Sequence, residues 1–260
     1  MLKTLATILI DLAVVATVCA SGSNQPRPIS LAGGTTQAEA KKPAAAEGSA
    51  LPTVDQVLDH YVKALGGKDA IEKQTSRVMK GTIEVTTFNV NGTVEVDAKA
   101  PNKIFTLVSI EGFGDIKSGF DGTAGWDDNP QTGIRDMTPV QTAAYKARAD
   151  FHRPIHLKEL YKDLKVTGKE KVGDHDAYVL EYSAPEGPGK FYFDVESGLL
   201  AKTVAPDVTS EAGGEVEELL DNYKDVDGVK APFQIHHNSQ QVNFVITFSD
   251  ASSNNAIEEY

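Results

Sequence analysis

Residues 81–126 read GTIEVTTFNVNGTVEVDAKAPNKIFTLVSIEGFGDIKSGFDGTAGW. Apolar and polar residues alternate through most of this stretch, the period of a strand with two unlike faces. The runs are punctuated by Asn91-Gly92, Glu111-Gly112-Phe113-Gly114 and Asp121-Gly122. Asn-Gly and Asp-Gly between alternating runs mark tight hairpins, because both central residues of such a turn take positive φ. The spacing predicts five strands, over 81–90, 93–100, 104–110, 115–120 and 123–126, with Asn91-Gly92 as the first turn. Strands joined by loops this short pair with their neighbours, so an antiparallel meander is expected.

Upstream, the period is helical. Thr53 with Gln56 three residues later reads as a capping box, and Val54, Val57, Leu58, Tyr61, Val62 and Leu65 recur at helical spacing. Gly66-Gly67 end the element, and 69–72 suggest one more turn. Downstream, the alternation stops at Asp127-Asp128-Asn129-Pro130, whose Asp and Asn residues read as an Asx turn in preference to a cation site. Helix formers fill Thr138 to Tyr161, with Pro154 expected to kink or split them and a second piece over Leu157 to Tyr161. Strands then return over 164–171, 177–182, 190–194, 199–204, 215–223, 229–237 and 242–248, separated by turn residues such as Asp227-Gly228.

About twelve short strands form a sheet that must twist and curl or close. The expected fold class is mainly β (α+β), a single domain over 51–260. It is a large curled antiparallel sheet forming an incomplete β-barrel, with the helices as a lid over its concave face. Runs such as Ile104 to Ile110 and Phe244 to Phe248 are apolar on both faces, which suits a shape enclosing a ligand-sized cavity.

The chain opens MLKTLATILIDLAVVATVCA. Lys3, an apolar run and small terminal residues match a secretory signal over 1–20, cleaved after Ala20. Cys19 has a second reading, as a lipidated residue anchoring the protein to the outer membrane. Residues 21–50 are rich in Ala, Gly, Ser, Pro and Thr and read as a flexible tether. The 260 residues hold 25 Lys+Arg and 37 Asp+Glu, a net charge of −12. That balance excludes nucleic acid as a partner and argues against electrostatic docking on anionic lipid. The single cysteine excludes an internal disulfide and a cysteine-based zinc site.

No G-x-S-x-G elbow, H-E-x-x-H or phosphate-binding loop occurs. His152 and His156 are separated by Pro154, and His236-His237 alternate in a strand, so neither pair predicts a metal. Asp225, Asp227 and Gly228 read as a hairpin, since Val229 stands where a calcium loop needs an oxygen ligand. No cofactor, metal or catalytic residue is expected, and the protein is read as not an enzyme. The aromatic and aliphatic residues Phe105, Leu107, Phe113, Phe120, Trp126, Phe193, Phe244 and Phe248 are the candidates for lining a cavity.

Three stretches resemble the outer-membrane lipoprotein-sorting family, the LolA-like superfamily, in a divergent branch. They are Ala98 to Lys103, Gly119 to Trp126, and Phe191 to Asp194 continuing through Ser197 to Leu200 and on to Tyr223 to Phe233. The resemblance spans 51–260. It implies a half-barrel with a helical lid that binds lipoprotein acyl chains or other lipids in the periplasm, with no cofactor. It also implies a membrane-bound donor or acceptor as partner, and a monomer. An arginine holding the lid is implied as well, for which Arg77, Arg135 and Arg148 are the candidates. The competing expectation is a non-catalytic periplasmic sensor or interaction module on the same fold.

Overall fold

The computed structural model describes residues 50–210 and 213–257. The segment read as a signal over 1–20, nearly all of the segment read as a tether, and Cys19 lie outside the described residues. Helix α1 (Val54–Ala64) begins with the expected capping box: Gln56 N donates to Thr53 Oγ1 at 3.2 Å, and Thr53 N to Gln56 Oε1 at 2.8 Å. These bonds satisfy two of the amide groups that a helix start leaves open. Val57, Leu58 and Tyr61 form its buried stripe. Gly66 and Gly67, at φ 115° and 90°, end it, and the short α2 (Lys68–Lys73) follows.

Thirteen strands then make one open antiparallel sheet. The first six are β1 (Ser76–Val85), β2 (Val90–Lys99), β3 (Lys103–Ile110), β4 (Gly114–Phe120), β5 (Gly125–Asn129) and β6 (Gly133–Asp136). Two helices interrupt them, α3 (Pro139–Arg148) and α4 (Arg153–Leu160). The rest are β7 (Lys162–Val172), β8 (His175–Ala184), β9 (Gly187–Asp194), β10 (Leu200–Pro206), β11 (Glu215–Val226), β12 (Val229–Asn238) and β13 (Asn243–Ser253). The spatial order is β6-β5-β4-β3-β2-β1-β13-β12-β11-β10-β9-β8-β7. Each meander is built from hairpins, and the one distant pairing joins β1 to β13 at the centre.

Laid flat, thirteen strands would span about 60 Å, far wider than a cover one helix thick could shield. Yet α3 packs on β4 and β5, near one end of the order, and α4, which touches α3, packs on β7 at the other end. The sheet is therefore curled around a shared interior, without closing. Register shifts at Lys80/Gly81, at Leu200/Lys202 and twice in β7 supply local bends of the kind that bulges introduce.

Three expectations change. Asn91-Gly92 is not a turn: Asn91 pairs with Glu84 and Gly92 with Ile83 inside the β1–β2 ladder. The chain reverses earlier, at residues 86–89, where Asn89 carries the positive φ of 52°. Gly92 serves packing, since a Cβ there would collide with the carbonyl oxygen of Ser109 on β3. Next, Asp127-Asp128-Asn129 do not break the sheet. They complete β5, and only Asn129 forms the Asx turn, its Oδ1 accepting from Gln131 N and Thr132 N at 3.0 Å each. The turn leads into β6, a four-residue strand too short and polar to show as alternation. Finally, the helical stretch is split as expected, but its second piece starts at Arg153, ahead of the expected Leu157, and Pro154 kinks neither helix. It sits in the first turn of α4, where its missing amide hydrogen removes no helical bond. At Asp227-Gly228, with φ 53° and 86°, the expected hairpin is present.

Candidate functional site

The sheet has two free edges, β6 and β7, and the chain between them is the helical pair α3–α4. A second capping box starts α3: Thr138 N donates to Gln141 Oε1 at 2.9 Å, and Pro139 follows at the first helical position. The pair lies across the unclosed side. Helix α3 packs on β4 and β5, and α4 packs on β7 and α1. Together with α1 it forms a cover over the inner face.

Register assigns the inner face, because residues directly opposite one another in a ladder point to one side. On β1 to β5 it carries Met79, Ile83, Val94, Val96, Ile104, Val108, Ile116 and Phe120, all buried. On the other half it carries Leu180, Tyr182, Phe191, Phe193, Ile235, Phe244, Ile246 and Phe248. The cover contributes Val57, Leu58, Tyr61, Tyr145, Leu157 and, just after α4, Tyr161.

Of the sequence candidates, Phe120, Phe193, Phe244 and Phe248 lie in this interior. Phe113, in the β3–β4 turn, is half-buried against its rim. Phe105 and Leu107 point to the opposite, outer face, paired across the ladders with Asp97 and Glu95. Trp126 joins them there, opposite Gly119, its ring centroid 6.2 Å from that of Phe105. Phe105 and Trp126 flank a shallow depression with a volume of about 60 Å³, to which Asp97, Lys103 and Ile257 also contribute. The eight residues thus divide between two faces.

Sequence reading missed the aromatic wall that faces the cover. Tyr161, Tyr182 and Phe191 form a mutual cluster, with ring centroids 4.4, 4.5 and 5.1 Å apart, and Phe193 continues it at 6.2 Å from Phe191. Tyr61 of α1 closes over Phe193 at 4.9 Å. The alternation Tyr178, Leu180, Tyr182 was the available signal, but period two does not say which face is inside.

Two guanidinium groups lie in this apolar interior. Arg77 projects from the inner face of β1, only 6% exposed. Its Nη2 donates to Gln74 Oε1 at 2.6 Å, and its Cζ lies 5.5 Å from the ring centre of Phe151 in the α3–α4 connection. Of the three arginines proposed as a latch, it reaches from the sheet's central strand β1 to the cover. Arg135 instead pairs with buried Asp127 on the β5–β6 hairpin, Nε to Oδ1 at 2.7 Å. Arg148 ends α3. Arg153, which no sequence argument singled out, extends from α4 to the wall. Its Nη2 donates to Tyr161 Oη at 2.8 Å, and its Cζ stands 5.5 Å from the ring of Tyr161 and 5.6 Å from that of Phe191.

Burial dominates the electrostatics. It pushes the Tyr61 hydroxyl up to about 12, against the pull of Arg153 and Arg77, and lowers Arg77 to about 10. Burial also works against the charge of Arg153, but the hydroxyls of Tyr161, Tyr182 and Tyr61 outweigh it and the net shift is upward. Cation–π contacts contribute roughly 0.5–2 kcal/mol. Removing an ion from water costs several kcal/mol. Packing on the Phe151 ring therefore does not offset the burial of Arg77, whose value falls.

Toward β6 the inner face becomes polar, with Thr106, Ser118, Asp127 and Arg135 in register across four strands. Burial raises the Asp127 carboxyl despite Arg135. On β12, beside β13 in the middle of the sheet, His237 stacks on Phe244 with centroids 4.3 Å apart, and its Nδ1 lies 3.6 Å from Glu218. His152 Nε2 meets the Gln74 carbonyl at 2.9 Å, while His156 Nδ1 meets Asp150 at 3.0 Å. Among the described residues no group of three or more His, Cys, Asp or Glu could hold a metal ion.

The centre is occupied. Tyr145, Phe120, Phe191, Phe193, Phe244, Leu65 and Met79 are each under 2% exposed. An open depression of about 560 Å³ lies where α1 begins, lined by Leu51, Pro52, Val57, His60, Tyr178 and Phe193, among others. Small-molecule sites run from roughly 300 to 1,000 Å³. Phe193 belongs both to this mouth and to the interior wall, so the depression marks where the inner face meets solvent.

No protein-family model and no curated protein matches the chain. Solved structures do. A DUF1329 family protein from Desulfovibrio piger is 13% identical, with a TM-score of 0.53 over 79% of this chain and 95% of that one. A LolA superfamily protein from Nitrosomonas europaea is 14% identical, with a TM-score of 0.53 over 80% and 96%. A candidate outer membrane lipoprotein-sorting protein domain from Vibrio parahaemolyticus is 12% identical, with a TM-score of 0.50 over 71% and 88%. The chain has the LolA-like fold. Among the described residues no helix is long and apolar enough to cross a membrane.

Proposed function

We propose that the protein is a periplasmic carrier that shelters acyl chains of lipids or lipoproteins between the sheet's inner face and the cover, for traffic toward the outer membrane. The observation that carries this reading is the placement of α3–α4 across the gap between the free edges β6 and β7. A cover held to the sheet by side chains and isolated backbone bonds, such as Phe151 N to the Pro101 carbonyl at 2.9 Å, with no ladder, can lift without breaking strand pairing. The apolar wall beneath it then offers an acyl chain about 0.8 kcal/mol per buried CH2. In the state described, the cover's own Tyr61, Tyr145 and Tyr161 fill that space, so loading exchanges cover contacts for lipid contacts. Arg77 sets the balance as the latch between β1 and Phe151. The fold shared with LolA superfamily proteins supports the reading, as does the signal-like sequence at 1–20. Cleavage after Ala20 releases a soluble monomer that exchanges cargo with a membrane-bound donor or acceptor.

Native mass spectrometry of protein purified without detergent from a membrane-containing host tests the proposal. A mature chain beginning at Ser21 with added mass equal to a lipid is expected. A lipidated Cys19 moves the site of action to the membrane surface. No bound lipid, no uptake of a fluorescent fatty-acid probe, and capture of a specific inner-membrane protein would replace the carrier reading with that of a sensor module.

A further inference from the structure

We propose that the ligand is an anionic amphiphile whose acid group is held by the guanidinium of half-buried Arg153, with its tail along the aromatic wall. This rests on the carrier reading and names the chemical class of its cargo. The Nε of Arg153 is buried and makes no hydrogen bond. Among the described residues no carboxylate forms an ion pair with it. Its partners are the hydroxyl of Tyr161 and the faces of Tyr161 and Phe191. Glu186, in the β8–β9 turn, acts on Tyr182 but forms no ion pair with Arg153. From the other side, Arg77 brings a second positive charge, and both guanidiniums act on the hydroxyl of Tyr61.

A buried cation ordinarily carries its counter-ion with it. Phenol oxygens and ring faces offer only partial negative charge. A residue needed only to fill this corner could be Leu or Met, which have no donor to satisfy. A carboxylate or phosphate oxygen arriving at Nε would complete the hydrogen bonding of the guanidinium and make a charge-assisted contact. From that point the wall runs through Phe191 and Phe193 to the depression at the start of α1. One ligand can therefore place its acid at Arg153 and its tail toward the mouth.

The test is calorimetric titration of the full mature chain, near neutral pH, with laurate, with dodecan-1-ol and with acetate. Laurate and the alcohol share a tail and differ in charge, while acetate has the acid without the tail. Laurate is expected to bind about tenfold more tightly than the alcohol, as a charge-assisted contact implies. Arg153→Gln should erase that preference, and Arg153→Lys, which keeps a charge, should retain most of it. Equal binding of laurate and alcohol by the wild-type chain overturns the proposal and leaves the carrier reading standing. The same holds if Arg153→Gln folds and keeps the preference. Acetate competing with laurate at equal concentration identifies a free-anion site and overturns the amphiphile assignment. Binding of neither long-chain probe overturns the carrier reading itself. If Arg153→Gln fails to fold, the wild-type comparison decides alone.

Discussion

Gly119 has no side chain because the indole of Trp126 occupies the space a Cβ would need, with ring atoms only 2.8 Å from that position. Gly119→Ala must push the ring off the outer face, and overpacking of this kind costs about 1–3 kcal/mol. Trp126 is the chain's single tryptophan, so its fluorescence reports the displacement directly while denaturant titration gives the stability loss. An unchanged emission maximum with unchanged stability would contradict the packing. Tyr61 makes a second prediction. Its folded value of about 12 exceeds the usual value near 10, so the neutral phenol is favoured in the folded state. The resulting stability is fully present below pH 10 and is lost as pH rises toward 12, because the unfolded chain ionises first. Two units correspond to roughly 2–3 kcal/mol at most. Tyr61→Phe should move alkaline unfolding to higher pH, with Tyr182 and Tyr223, also raised first by burial, accounting for what remains.

At the scale of elements, the cover is a separable unit. The Thr138–Gln141 box caps α3, and removing such a cap typically costs about 1 kcal/mol. Thr138→Ala should raise amide exchange across residues 139–148 about fivefold, while the β1–β13 ladder keeps its protection. Equal acceleration in both would mean that the cover and the sheet open only together. Hairpins teach a different lesson about legibility. Asp227-Gly228 was readable because it stands between two complete alternating runs, and the local φ demand decides such a turn. Asn91-Gly92 offered the same chemistry but sits within β2. There the glycine is required by the approach of β3, a contact 17 residues later that no local signal encodes. The residues that make the reversal, Thr86 to Asn89, carry weaker turn chemistry, and the long β1–β2 register places the turn on them against the preference of Asn91-Gly92.

For the whole molecule, the fold depends on joining its two meanders. Strand β1 pairs with β13 along eight aligned positions, from Arg77–Ser253 to Glu84–Val245. That seam closes a loop of most of the domain, so folding should be slow for its size, in the range of milliseconds to seconds or longer. Stopped-flow refolding followed by Trp126 fluorescence measures this. Truncation before Asn243 should abolish cooperative thermal unfolding, since β1 and β12 would both become open edges. Retention of a single sharp transition would show that the meanders fold without their seam.

The amino-acid sequence by itself determined the mainly β class, the hairpin order, the first helix with its cap and the helical break between two strand series. These follow from period, propensity and turn chemistry, which act over a few residues. Only the tertiary structure decided which face of each strand is inside. Alternation defines two faces for Phe105 and Phe120 alike, but ladder register and the cover choose between them. It also decided that α3–α4 bridges the edges β6 and β7. And it placed Arg153, an ordinary polar residue in the sequence, against Tyr161 and Phe191, because burial is a property of the assembled neighbours and not of the residue.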